Sequence, residues 1–218
     1  CAAGLPTSLP TATGLSVRKT LVFERGSYVV KLRVEVRNQG TQPWSGLSYE
    51  QLQRATPAAV GRTAGLTNPE AYSFVGAAWY SPEERFEKLA FDDFAENALQ
   101  REITGGWTAM LQHYFFAAWI PDASEAQAYS TAVIKDQGDP RYLIRQLGPA
   151  FKVAPGANAT TTASLYVGPK EQEKLDAIAP GLGLTIDYGM VTIFAKPVFW
   201  LLNTLHKLVQ NWGFAIIL

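Results

Sequence analysis

Through residues 28–38 apolar and charged side chains alternate. Val30, Leu32, Val34 and Val36 are interleaved with Lys31, Arg33, Glu35 and Arg37. Successive residues of a strand face opposite ways, so this stretch predicts a strand with one oily and one solvated face. "VRKTLVFER" before it predicts a second strand, and "RGS" (25–27) a tight hairpin turn between them. "GTQPWSG" (40–46) ends the second strand, and residues 47–90 read as short strands and loops. "SPEERFEKLAFDDFAEN" (81–97) predicts a turn and an exposed edge strand whose charge discourages edge pairing.

"GGWTAMLQHYFFAAWIP" (105–121) is the most apolar interior stretch. It is too short for a membrane helix and is interrupted by Gln112 and His113, so buried strands are expected. "AYSTAVIK", "RYLIRQLG" and "ATTTASLYVG" predict further strands. Many short strands with turn punctuation, spread through a chain with 18 Gly and 13 Pro, argue for an antiparallel sandwich. Residues 1–14, small and uncharged, read as a linker or divergent loop.

The period changes near residue 168. In "GPKEQEKLDAIAPG" Pro169 marks a helix start, Glu171 and Glu173 its first turn, and Pro180 with Gly181 its end. Residues 182–189 read as a short connector. Across 190–211, Thr192, Lys196, Asn203, Lys207 and Gln210 fall on one narrow helical stripe. The rest of that circumference is apolar, and Pro197 implies a kink or a late start. Two readings stay open: a core helix packed on the sheet, or an interfacial helix with Lys196, Trp200, Lys207 and Trp212 at the membrane surface. "NWG" interrupts before "FAIIL" resumes an apolar run, which reads as the start of a truncated span.

Composition adds mostly exclusions. Nineteen Lys and Arg balance nineteen Asp and Glu, so no basic excess suggests nucleic acid. Cys1 is the only cysteine, so no internal disulfide or thiolate cluster can form. It is either a cut point or the lipid-bearing residue of a lipoprotein scaffold. His113 and His206 lack neighbours at metal-ligand spacing. Glu83–Glu84 and Asp92–Asp93 are adjacent acids, whose side chains on a strand diverge. "NAT" (158–160) matches a glycosylation acceptor, which needs a eukaryotic secretory context to matter. "GLGLTIDYG" lacks the strand and helix that a phosphate-binding glycine loop requires, and no Ser sits in a nucleophile elbow.

"GGWTAMLQHYFFAAWIP", "LYVGPKEQEKLDAIAPGLGLTIDYG" and "HKLVQNWGFAIIL" resemble the YidC family of bacterial membrane-protein insertases, from about Lys19 onward. The resemblance implies a periplasmic β-supersandwich, shaped like galactose mutarotases, followed by helices that lead into the membrane. It favours the interfacial reading of 190–211 and makes 212–218 the entry to a second transmembrane helix. It further implies a groove Arg beyond Leu218, and a sandwich over 15–167 that is incomplete on its N-terminal side. The expected role is a non-catalytic module of an inner-membrane insertase and chaperone, with its bulk in the periplasm. Its expected partners are nascent membrane proteins, Sec translocon components and the lipid bilayer. No cofactor is expected. A carbohydrate-binding or mutarotase-like sandwich is the competing reading, for which only His113 could serve.

Overall fold

The computed structural model describes residues 2–10, 14–55, 74–135, 138–186 and 192–217, with the backbone alone at 2–10, 172–173, 192–196, 199 and 217. Strands β1 (Ala2–Pro10), β2 (Leu15–Glu24) and β3 (Val29–Asn38) open the chain, followed by the short β4 (Trp44–Gly46) and β5 (Tyr49–Ala55). Then come β6 (Gly76–Ser81), β7 (Arg85–Ala90), β8 (Gln100–Thr104), β9 (Trp107–Leu111), β10 (Phe115–Pro121) and β11 (Ala126–Ile134). β12 (Arg141–Leu147), β13 (Phe151–Val153) and β14 (Asn158–Pro169) complete the strands, and helices α1 (Gln172–Ile178), α2 (Thr192–Val209) and α3 (Trp212–Ile217) follow.

An eight-stranded antiparallel sheet runs β1-β2-β3-β14-β10-β9-β6-β7, and a four-stranded sheet runs β5-β12-β11-β8. The β2–β3 hairpin forms as the alternation predicts, with Phe23 opposite Val30 and Leu21 opposite Leu32. Its turn closes by the Ser27 amide donating to the Glu24 carbonyl, with Gly26 at φ +78°. That left-handed conformation is free of steric cost only for glycine.

The core lies between the two sheets. Ala77, Trp79, Leu89 and Met110 from the large sheet meet Ile103, Tyr129 and Ile144 from the small one. Pairing within the large sheet puts Trp79 opposite Thr108 and Ala77 opposite Met110, so one face of β6 and β9 supplies this layer. The oily face of β3 is less enclosed than the alternation suggests. Val30, Leu32 and Val34 are half-buried, and Phe23, Phe115 and Val167 are exposed.

Residues 2–10 depart from the linker expected over 1–14: β1 pairs along nearly all of β2, from Ala2 opposite Glu24 to Pro10 opposite Ser16. Backbone pairing needs no apolar side chains, and an edge strand tolerates proline. Pro6 and Pro10 are four apart, so both missing N–H groups lie on one side, which can be the unpaired side. Cys1 lies outside the described residues. The edge strand expected in 81–97 is β7, at the margin of the large sheet. The residues after it were not legible as structure: Phe91–Phe94 forms a 3-10 turn that buries both phenylalanines. Tyr142 stacks on Phe91 at 4.5 Å and meets Phe94 edge-on at 5.2 Å. Asp92 and Asp93 share that turn, so the divergence argued for a strand does not apply to them.

Pro169 is the last residue of β14, opposite Phe115, rather than a helix start. α1 begins at Gln172, because β10 offers a continuing partner up to Pro169 and tertiary pairing overrides the proline cue. The Lys170 amide donates to the Tyr114 carbonyl just past that point. The connector expected over 182–189 begins as a 3-10 turn, Leu182–Thr185, with Leu182 and Thr185 buried; 187–189 lie outside the described residues.

Asn38, 2% exposed, ties the end of β3 to the short β4–β13 pair. Its Nδ2 donates to the Gln42 carbonyl (2.7 Å) and the Val153 carbonyl (3.0 Å), and its Oδ1 accepts from the Gly40 amide (3.0 Å). Asn38→Ala strands these backbone groups in a buried place, at a cost of about 2–3 kcal/mol. Urea denaturation should show that loss as a lower midpoint with unchanged slope.

Candidate membrane-interface site

Residues Cys1–Thr185 form one compact unit and Ile186–Leu218 a second. The second unit is a pair of helices. α2 spans Thr192–Val209 with Pro197 inside it, so the helix starts before the proline, which removes one i→i−4 hydrogen bond. The chain breaks at Gln210, whose φ is +53°. Its amide donates to the His206 carbonyl at 2.6 Å. Asn211 then starts α3: its Oδ1 accepts from the amides of Gly213 (2.8 Å) and Phe214 (3.4 Å), as an N-cap does. The imidazole of His206 stacks on the Trp212 indole at 3.8 Å and 10°, joining the two helices across the turn.

The surface of this unit is unusually apolar. Leu208 is 82% exposed, and Val198, Trp200, Leu201, Trp212, Phe214 and Ile216 are also open to solvent. Leu201 and Leu208 are seven residues apart and so stack on one face of α2. Lys207 is exposed on the polar stripe. Trp200, also seven residues from its neighbour Lys207, flanks that stripe where it meets the apolar arc. An indole and an ammonium at the boundary between polar and apolar faces are what a helix lying in a headgroup layer presents.

Of the four expected interface residues, Trp200, Lys207 and Trp212 are exposed on this helix pair, and Trp212 is also held by His206. Lys196 lies on the α2 backbone, with its side chain outside the described residues. Sequence reading missed the exposure of Phe214 and Ile216 on α3, and the His206–Trp212 stack. The stack carries no periodic signal, because it forms across a break in the helix. No described helix is long and apolar enough to cross a membrane. Among the described residues no group of three or more His, Cys, Asp or Glu side chains could hold a metal. His113 sits in the β9–β10 connection with Tyr114 edge-on at 3.9 Å.

Residues 4–201 match the family described as the YidC periplasmic domain. A protein named membrane protein insertase YidC from Xanthomonas euvesicatoria pv. vesicatoria is 44% identical over 212 residues, covering 94% of this chain and 35% of that one. The protein of the same name from Xanthomonas axonopodis pv. citri is 44% identical over 209 residues with the same coverage. The chain thus spans about a third of the length of these relatives. Among solved structures, a galactose mutarotase related enzyme from Lactobacillus acidophilus has a TM-score of 0.44 at 11% identity, covering 77% of this chain and 68% of that one. That likeness is too loose to carry any sugar chemistry across. On the match over residues 4–201, this chain belongs to the family of the YidC periplasmic domain.

Proposed function

We propose that this chain is the periplasmic module of a bacterial inner-membrane insertase, and that α2 and α3 lie in the outer surface of that membrane. The observation that carries the reading is the open apolar arc of α2, with Leu201 and Leu208 at its centre and Trp200 and Lys207 at its edge. Such a face gains free energy only when covered, and lipid covers it while leaving the lysine in the headgroups. In this reading the module is non-catalytic and uses no cofactor. It works on nascent membrane proteins as part of an insertase, as family membership supports, and acts as a chaperone alone or beside the Sec translocon. Residues 212–218 lead toward the bilayer. The open inner face around Phe23, Phe115 and Val167 fits a sandwich that further strands complete.

Vesicles of phosphatidylethanolamine and phosphatidylglycerol test the membrane role. The full chain should co-sediment with them, and a chain ending at residue 189 should stay in the supernatant. Equal partitioning of the two would refute the assignment. Adding salt should weaken binding partly, because each Lys near an anionic surface contributes about 1 kcal/mol that is screened by salt.

A further inference from the structure

Between the two sheets, beside the apolar core, lies a row of polar side chains with no counterpart in the membrane reading. Glu50 on β5 is opposite Gln146 on β12, and Gln146 is opposite Tyr129 on β11. Gln127 lies two residues from Tyr129 on the same face, and Thr108 of the large sheet donates to Gln146 Oε1 at 3.1 Å. All five are buried: Gln146 and Thr108 are 0% exposed, Tyr129 1%, Gln127 2% and Glu50 8%. Yet Glu50 Oε2, Gln127 Oε1, Tyr129 Oη and Gln146 Nε2 each lack a hydrogen-bond partner. Native interiors rarely leave so many polar atoms unmatched in one place.

We propose that this seam is a proton-operated latch, in which neutral Glu50 holds the edge strand β5 against β12 and ionised Glu50 loosens it. A proton on Oε2 removes a charge from an enclosed site and adds a donor to a seam in which Gln127 Oε1 and Tyr129 Oη lack partners. β5 is the strand able to respond, because it forms a margin of the small sheet. The surroundings favour the neutral form. Burial is the main cause, and the nearby carboxylate of Glu125, in the turn before β11, adds to it. The polar side chain of Gln146 and the charge of Lys19 on β2 oppose it, and the balance pushes the Glu50 carboxyl up to about 6. Burial, with the Glu50 charge, also pushes the Tyr129 hydroxyl upward, so that group stays neutral throughout. Arg54, four residues along β5, and Arg101, opposite Tyr129 on β8, are further cations on this face of the small sheet, and burial lowers the pKa of Arg54.

The folded carboxyl keeps its proton to higher pH than an unfolded one, for which the value is 4.5. The stabilisation is therefore fully present below about pH 4.5 and is lost as pH rises through about 6. Amide hydrogen exchange of the full chain, corrected for intrinsic rate, reads this directly. Opening of β5 should increase by about thirtyfold between pH 4.5 and 7.5, and Glu50→Gln should abolish that dependence. Lys19→Met should move the midpoint up and Glu125→Gln should move it down; neither residue packs in the core. Infrared spectra at pH 5.5 should contain a protonated-carboxyl band that Glu50→Gln lacks. Exchange of β5 independent of pH, the same dependence in Glu50→Gln, or a midpoint unmoved by both charge variants would overturn the proposal.

Discussion

Trp107→Ala should cost about 3–5 kcal/mol, the range for truncating a large buried aromatic, against the roughly 5–15 kcal/mol that holds a typical domain together. Trp107 is 1% exposed on β9. Its indole stacks on Tyr80 at 5.9 Å and 10°, and Phe86 tilts against it at 5.9 Å. Its Nε1 donates to the Pro180 carbonyl at 3.0 Å. The next residue, Gly181, holds φ +72°, and the Tyr80 ring leaves no room there for a Cβ. One side chain thus packs the large sheet and fastens the segment that follows α1. Trp107→Phe separates the two roles: it keeps most of the apolar contact and loses the bond to Pro180, for a cost of about 1–2 kcal/mol. Urea denaturation should rank the chains wild type, Phe, Ala. If the alanine variant lost less than 1 kcal/mol, this tryptophan would not be holding the unit together.

The combined change Leu201→Asp and Leu208→Asp should lower partitioning into the anionic vesicles by at least about 100-fold. Covering a leucine side chain with an apolar medium is worth about 1.5–3 kcal/mol, so losing two removes about 3–6 kcal/mol, and 1.4 kcal/mol is tenfold. New carboxylates near anionic headgroups add to the loss. The sandwich should be untouched, because both residues lie in the separate unit Ile186–Leu218. Circular dichroism and the urea midpoint of the β unit serve as controls. Lys207→Gln should weaken binding far less, mainly at low salt. Vesicle binding unchanged in the double variant would mean that lipid is not what covers α2.

Some elements were legible because their signal is local. The alternation of Val30, Leu32, Val34 and Val36 with charge needs only the period of a strand, and β2–β3 forms as it predicts. The buried strands of 105–121 appear as β9 and β10, and four of the five stripe positions of 190–211 lie on α2, the fifth, Gln210, being where the chain breaks. Other elements left no local trace. β1 looked like a linker because its strand character comes from pairing with β2. The Phe91–Phe94 turn is explained by Tyr142, some fifty positions away, and Pro169 was misread because β10 supplies a partner that short-range rules do not include.

The seam around Glu50 is the sharpest case. Read in order, Glu50 is one more polar residue alternating along a strand, and nothing in its neighbours distinguishes it from the solvated Glu35. Side-chain period and turn chemistry depend on neighbours a few residues apart, so residue order alone settled the antiparallel strands and the two-faced terminal helix. Which face of each strand would be enclosed, and which polar groups would be shut in together, depended on packing between distant segments. Burial and the fields it creates arise only when those segments meet.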